Sequence, residues 1–194
     1  MARFPLAVLI TNGPGGIHAS HLPMLYDPEP APLGTLLAHV ARPNLQWRDA
    51  SEPARALAIF SGPDAYVTPA WYEATRETGK VVPTWNYVAV HARGTLRAFD
   101  DRTRLRELVA RMTVQFETGL PEPWSMDDAP SDYIDTMLGA IVGLEMSVSS
   151  LTGKWKLSQN RPETDRQRVE QELRLSTSPR DVATGEEMGR LRER

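Results

Sequence analysis

Trp85-Asn86-Tyr87-Val88-Ala89-Val90-His91-Ala92-Arg93-Gly94-Thr95-Leu96-Arg97-Ala98-Phe99 is rich in aromatic and β-branched residues and free of proline, and it reads as one long strand. Its middle, Tyr87 to Gly94, is long enough to serve two sheets, and Gly94 marks a bend or bulge where a barrel turns its corner. Working outward, further strands are expected at Leu6 to Thr11, Ile17 to Tyr26, Gly34 to Val40, Ala56 to Ser61 and Ile141 to Leu151, with Pro, Gly or Asp in most of the gaps. Between the first two, Asn12-Gly13-Pro14-Gly15-Gly16 supplies the positive-φ positions of a tight hairpin reversal. Closing such strands into a barrel hides their edges.

After the long strand the period changes. Asp101 can cap a helix in which Leu105, Leu108, Val109, Met112 and Phe116 form an apolar face. A second helix over Ser131 to Ala140 carries Ile134, Met137 and Leu138, after a loop with Pro121, Pro123, Trp124 and Pro130. Strands, then helices, then a strand indicate an α+β fold that is mainly antiparallel β. From Arg161 onward the chain is charged and poor in large apolar residues, so residues 161–194 read as a peripheral helical segment beside a domain of residues 1–160 with helices inserted at 101–140.

Length and composition bound the rest. At 194 residues and 41% hydrophobic content the chain can bury one substantial core. A formal net charge of −3 provides no general positive field for a phosphate backbone. With no cysteine there are no disulfides and no thiolate metal sites. No window approaches the roughly 20 apolar residues of a membrane span and no signal peptide is visible, so a soluble, cytoplasmic protein is expected.

Three segments concentrate aromatics beside hydrogen-bonding groups: Gly16 to Pro23, Lys80 to His91 and Gly153 to Pro162. Such mixtures suit a flat ring that carries polar edges and an anionic tail. They equally suit core or interface packing of Trp85, Trp124 and Trp155 with Lys154 and Lys156 in solvent. His18 and His21 are spaced three apart, which on a strand sends them to opposite faces, so no metal site is expected. His39 and His91 sit in strands, as structural histidines do. GxSxG, P-loop and GxGxxG patterns are all missing.

On these segments the chain resembles the PaiB-like family of negative transcriptional regulators. The resemblance runs through Thr11 to Pro23, Gly34 to Trp47, Thr78-Gly79-Lys80-Val81-Val82-Pro83-Thr84-Trp85-Asn86-Tyr87-Val88-Ala89-Val90-His91, and Gly153-Lys154-Trp155-Lys156-Leu157-Ser158-Gln159-Asn160-Arg161-Pro162. It implies an FMN-binding split β-barrel with peripheral helices, related to pyridoxamine-phosphate oxidases, and a homodimer holding FMN between its subunits. Family members usually begin with a short helical segment that is not visible before Leu6 here.

By resemblance to the oxidases, His18, Ser20 and His21 would line the ring and ribityl chain, and His39, Arg42 and Asn44 would approach the phosphate, with Arg42 as the first choice of anionic clamp. Asn86 and Tyr87 would address the ring edge, and Trp155, Lys156, Gln159 and Asn160 would close the pocket from the partner subunit or from the same one. Lys156 departs from the arginine-rich oxidase pattern there. The expected function is an FMN-binding regulator or flavin-dependent sensor; the alternative is a flavin-dependent oxidoreductase acting on a small molecule. Direct DNA binding is not expected, because no helix-turn-helix with a basic recognition face is visible.

Overall fold

A computed structural model describes residues 1–30, 32–50 and 53–192, apart from the side chains of Asp49 and Glu77. Residues 193–194 of the expected C-terminal segment lie outside the described residues. The chain divides into two compact units, the first made of Met1–Phe60 and His91–Thr152, the second of Ser61–Val90 and Gly153–Arg194.

The first unit begins with the expected hairpin. β1 (Leu6–Gly13) and β2 (Gly16–Pro23) pair in antiparallel register from Leu6 opposite Pro23 to Gly13 opposite Gly16. Gly16 has φ 101°, the left-handed backbone that only glycine adopts at little cost. The strand expected over Ile17 to Tyr26 is interrupted at Met24, whose N–H bonds to the Pro5 carbonyl, and resumes as β3 (Leu25–Asp27). β3 pairs with β4 (Thr35–Ala41), β4 with β7 (Ile141–Lys156), and β1 with β5 (Ala54–Val67), all antiparallel. With β6 (Thr84–Phe99) between β5 and β7, the described strands form one sheet in the order β2-β1-β5-β6-β7-β4-β3. Its two edges, β2 and β3, are consecutive in the chain and separated by one residue. The sheet is therefore curled rather than flat, and it is not sealed by hydrogen bonds between those edges.

Two strands run well past their expected ends. β5 passes through Gly62-Pro63-Asp64, a triplet that reads as a turn, because Gly62 lets the Val88 side chain lie against the backbone, 3.0 Å from where a Cβ would stand. β7 likewise passes Gly153, over which the Trp155 ring folds. At Gly94 a Cβ would come within 2.1 Å of the Ser147 carbonyl oxygen, so this glycine permits a close approach of β6 to β7.

Helices α1 (Gln46–Asp49), α3 (Arg102–Glu117) and α4 (Ser131–Gly139) belong to the first unit, and α2 (Ala74–Glu77) to the second. The Asp101 carboxylate accepts the Arg104 N–H at 2.8 Å and caps α3, as its sequence indicates. Leu105, Leu108 and Met112 of α3, with Ile134 and Leu138 of α4, form buried clusters with Leu25. Phe116 and Met137, expected on the same faces, are exposed instead, as the buried stripe of each helix is narrower than its hydrophobic pattern.

In the second unit, α5 (Glu163–Arg174) and α6 (Pro179–Arg192) are not mere periphery. Val169, Leu173 and Met188 pack with Ala65, Val67, Tyr72, Val88 and Leu157 in one core. The charged composition conceals this because Glu170 and Glu187, although buried, are paired with Arg174, Arg192 and Arg190. Gly185, where a Cβ would stand 3.1 Å from the Glu170 carbonyl, lets α6 approach α5 closely.

The contact at Gly94 makes a direct expectation. Gly94→Ala should cost about 1–3 kcal/mol through overpacking, read as a lower urea midpoint at unchanged slope, whereas Ser147→Ala at the exposed neighbour stays within about 0.5 kcal/mol of wild type. An Ala variant as stable as wild type would remove the close approach from the argument.

Candidate functional site

In the first unit, alternation along β2 turns His18, Ser20 and Leu22 inward and leaves Ile17, Ala19 and His21 exposed. His18 lies beside the turn, its ring 3.5 Å from where a Gly15 Cβ would stand. The Ser20 hydroxyl accepts the Asn44 side-chain N–H at 2.9 Å, and the Asn44 side-chain oxygen accepts the Gln46 backbone N–H, closing an Asx turn into α1. Gln46 is buried and donates to the Leu9 carbonyl at 3.0 Å and to the Thr11 hydroxyl at 3.2 Å, while its Oε1 is buried with no partner. Thus the structure joins Ser20 to Asn44 on one side of β2, and His21 faces the other way, as the strand spacing requires. Gln46 was not singled out from the sequence; its only signal was its place two residues after Asn44.

Arg42 does not behave as a free anionic clamp. Its guanidinium holds both oxygens of the Asp100 carboxylate at 2.9 and 2.6 Å and donates to the carbonyls of Gly139 and Ile141 at 2.9 Å each. The bond from Arg42 keeps the Asp100 carboxyl below its ordinary range and raises Arg42 itself. Four directed bonds engage four of its five N–H donors, so Arg42 ties the end of β4 to the segment that connects α4 to β7. His39 stands opposite Gly143 in the β4–β7 register, and its Nδ1 is buried without a partner. Burial pushes its pKa below the usual histidine value.

In the second unit the remaining candidates sort into two kinds. Asn86 is fully buried: its Oδ1 accepts the Ser158 hydroxyl at 3.1 Å and its amide meets the Met188 sulfur at 3.4 Å. Ser158 has φ 64°, a conformation uncommon outside glycine and held here by that bond. Arg161 lies over the buried Tyr72 ring at 4.5 Å, and the buried Asp165 carboxylate accepts the Glu73 N–H at 2.7 Å. Half of the Gly153 to Pro162 motif therefore serves folding. The other half faces outward. Lys156 donates to the Thr84 hydroxyl and to the Trp85 carbonyl and stands 6.0 Å from the Tyr87 ring. Gln159 accepts the Leu157 N–H at 2.7 Å and donates to the Trp155 carbonyl at 2.5 Å, and Asn160 is exposed. Tyr66, Trp85 and Trp155 keep 47, 53 and 41% of their surface exposed, and Tyr66 meets Trp85 edge-on with centroids 6.0 Å apart. Three large rings thus remain substantially open on this unit.

Comparison with known families gives these features a context. The family model described as "Putative FMN-binding domain" matches residues 1–150. The chain belongs to that family. A member-like relative, the protease synthase and sporulation protein PAI 2 of Bacillus subtilis, is 32% identical over 171 residues, covering 88% of this chain and 79% of that protein. An uncharacterized protein of Emericella nidulans is 34% identical over 184 residues, covering 79% of this chain and 73% of its own length. Among solved structures, the FAD and heme binding protein from Mycobacterium smegmatis superimposes with a TM-score of 0.53 at 16% identity, over 84% of this chain and 72% of that one. The last likeness is one of fold, and the fold of this FMN-binding-domain chain is that of the split barrels.

His39, half-buried with its Nδ1 sealed from solvent, sets a pH dependence. In the unfolded chain this histidine protonates near 6.5, whereas the folded chain resists protonation until lower pH. Its contribution is therefore complete above that value and is lost progressively as pH falls below it. Urea midpoints measured between about pH 7.5 and 5.5 should decline for the wild type and decline less for His39→Leu; equal slopes would refute the assignment.

Proposed function

We propose that this chain binds FMN as a homodimer and acts as a PaiB-type, flavin-dependent sensor in negative regulation of transcription. The observation that carries this reading is the identity of 32% to the sporulation protein PAI 2 across 88% of the chain.

The residues present suit the cofactor. A flavin ring is flat and mainly apolar on its faces, and the second unit offers exposed Trp85, Trp155 and Tyr66, with the Lys156 ammonium held on the Trp85 carbonyl. The ribityl hydroxyls and polar ring edge need small donors and acceptors, and the first unit offers His18, Ser20 and Asn44. In a homodimer these two sets can come from different subunits. Tyr87, Gln159 and Asn160 complete the outward set, while Arg42, Asn86 and His39 act as supports of the fold. Bound FMN would supply a ring able to take up and release two electrons.

Regulation through a metabolite or a protein partner agrees better with the charges than direct contact with DNA does. Three of the four arginines of α3 are paired with carboxylates, Arg104 with Glu145, Arg106 with Asp135 and Arg111 with Asp27, and the fourth, Arg102, donates to the Asp135 carbonyl. A basic reading helix keeps such charges free for phosphates. No described helix is long and apolar enough to cross a membrane.

Protein purified without added ligand should show a flavin spectrum or quench added FMN at micromolar concentration with a rise in Tm, and light scattering should give twice the chain mass. Trp155→Ala should weaken FMN by about tenfold, roughly 1.4 kcal/mol. Colourless protein that neither quenches nor gains stability with FMN would sink the reading.

A further inference from the structure

On the outward face of the first unit, a groove of about 660 Å³ crosses β1, β5, β6 and β7. Its floor is aliphatic. Ile10 and Leu57 stand directly opposite each other in the β1–β5 register, and Ile17 stands at the rim with 76% of its surface exposed. Two guanidiniums also line the groove, those of Arg55 and Arg93, both on exposed residues. No carboxylate lines it among the described residues, and neither guanidinium has an ion-pair partner there. The Ser149 hydroxyl is fixed beside them by donating to the Arg93 backbone carbonyl at 3.1 Å, which leaves its oxygen free to accept.

Elsewhere in this unit Arg42, Arg104, Arg106 and Arg111 each hold a carboxylate. In a chain of net charge −3, two unpaired arginines sharing one groove form a local positive field against the overall sign. A guanidinium fork matches a carboxylate or a phosphate in plane. The aliphatic floor gains only if a carbon body covers it, and the volume falls in the range of small-molecule sites. The groove is distinct from the flavin positions proposed above: Ile17 faces away from His18 and Ser20 on β2, and none of those residues lines it.

We infer that this groove is a second ligand site, which takes a small organic anion with an apolar body and a carboxylate or phosphate head, Arg55 and Arg93 holding the head and Ile10, Ile17 and Leu57 the body. A sensor needs an effector site as well as a cofactor site, and this one is independent of whether flavin binds.

The test is calorimetry on the full chain with hexanoate, phenyl phosphate, inorganic phosphate and hexanol. Hexanoate or phenyl phosphate should bind below about 1 mM, and hexanol and inorganic phosphate at least about tenfold more weakly. The double variant Arg55→Gln/Arg93→Gln should lose about tenfold or more in anion affinity with Tm and FMN quenching unchanged. Ile17→Glu, a change at an exposed rim position that fold stability tolerates, should also weaken anion binding by putting a carboxylate where the apolar body lies. The site is overturned if neither amphipathic anion binds, or if both variants bind as the wild type does. It is also overturned as a separate site if FMN displaces the probe and the double variant loses affinity for FMN but not for riboflavin, because the arginines then seat the flavin phosphate. If FMN fails to bind the wild type while hexanoate binds as described, the flavin reading falls and this one stands.

Discussion

A sheet whose first and last strands in hydrogen-bonding order are neighbours in sequence has to turn back on itself. β2 and β3 are those strands, and Met24 alone separates them, held by its N–H to the Pro5 carbonyl. One residue spans at most about 3.6 Å, so the two edges meet at this joint and the sheet between them curls. The curl divides the strand faces of the first unit into an inner set, with Leu9, Leu36, Leu96 and Leu144 buried, and an outer set left for ligands. The glycines follow from the same constraint. At Gly94 and Gly143 the space a side chain would fill is taken by the Ser147 carbonyl and the Phe99 ring, respectively. A tightly curved sheet brings backbones and covering rings too close for a Cβ at such points.

How much of this was legible in the residues depends on the range of the interaction. Strand alternation, the Gly13 to Gly16 reversal and the Asp101 cap are local, and each is visible in a few neighbouring residues. The separation of His18 from His21 is also local, since a period of two decides it. By contrast, Arg42 meets Asp100 at a separation of 58 positions and Asn86 meets Met188 at 102. Nothing in either short segment announces those partners. An arginine that clamps a ligand and a half-exposed arginine that staples two elements have the same local signature. The C-terminal helices were misjudged for a related reason: their carboxylates are buried only because arginines on the same two helices cover them, so the apolar positions Val169, Leu173 and Met188 are diluted in the composition.

The motif from Gly153 to Pro162 shows how fold and function share one segment. Its buried members build a polar clasp in which the left-handed Ser158 is held by Asn86, and Arg161 covers Tyr72. Its outward members, Trp155, Lys156 and Gln159, alternate with them and are braced by bonds to Thr84, to Trp85 and to the segment itself. Preorganisation of this kind lowers the conformational cost of receiving a ligand, because lysine and glutamine otherwise lose the most side-chain freedom on ordering. The density of polar and aromatic residues that makes the motif recognisable thus has two physical origins, and only the outward half bears on binding.

Electrostatics carries the last step. A regulator that grips DNA directly concentrates unpaired cations on one presented element, since each phosphate contact releases a counterion. Here the most arginine-rich helix, α3, instead has three of its four arginines answered by Glu145, Asp135 and Asp27, which lie on three other segments of the same unit. Arg55 and Arg93, which have no acidic partner among the described residues, stand on strands rather than on a helix and line one groove with Ile10 and Leu57. The charge of this groove therefore suits a small anion better than a polyanionic backbone.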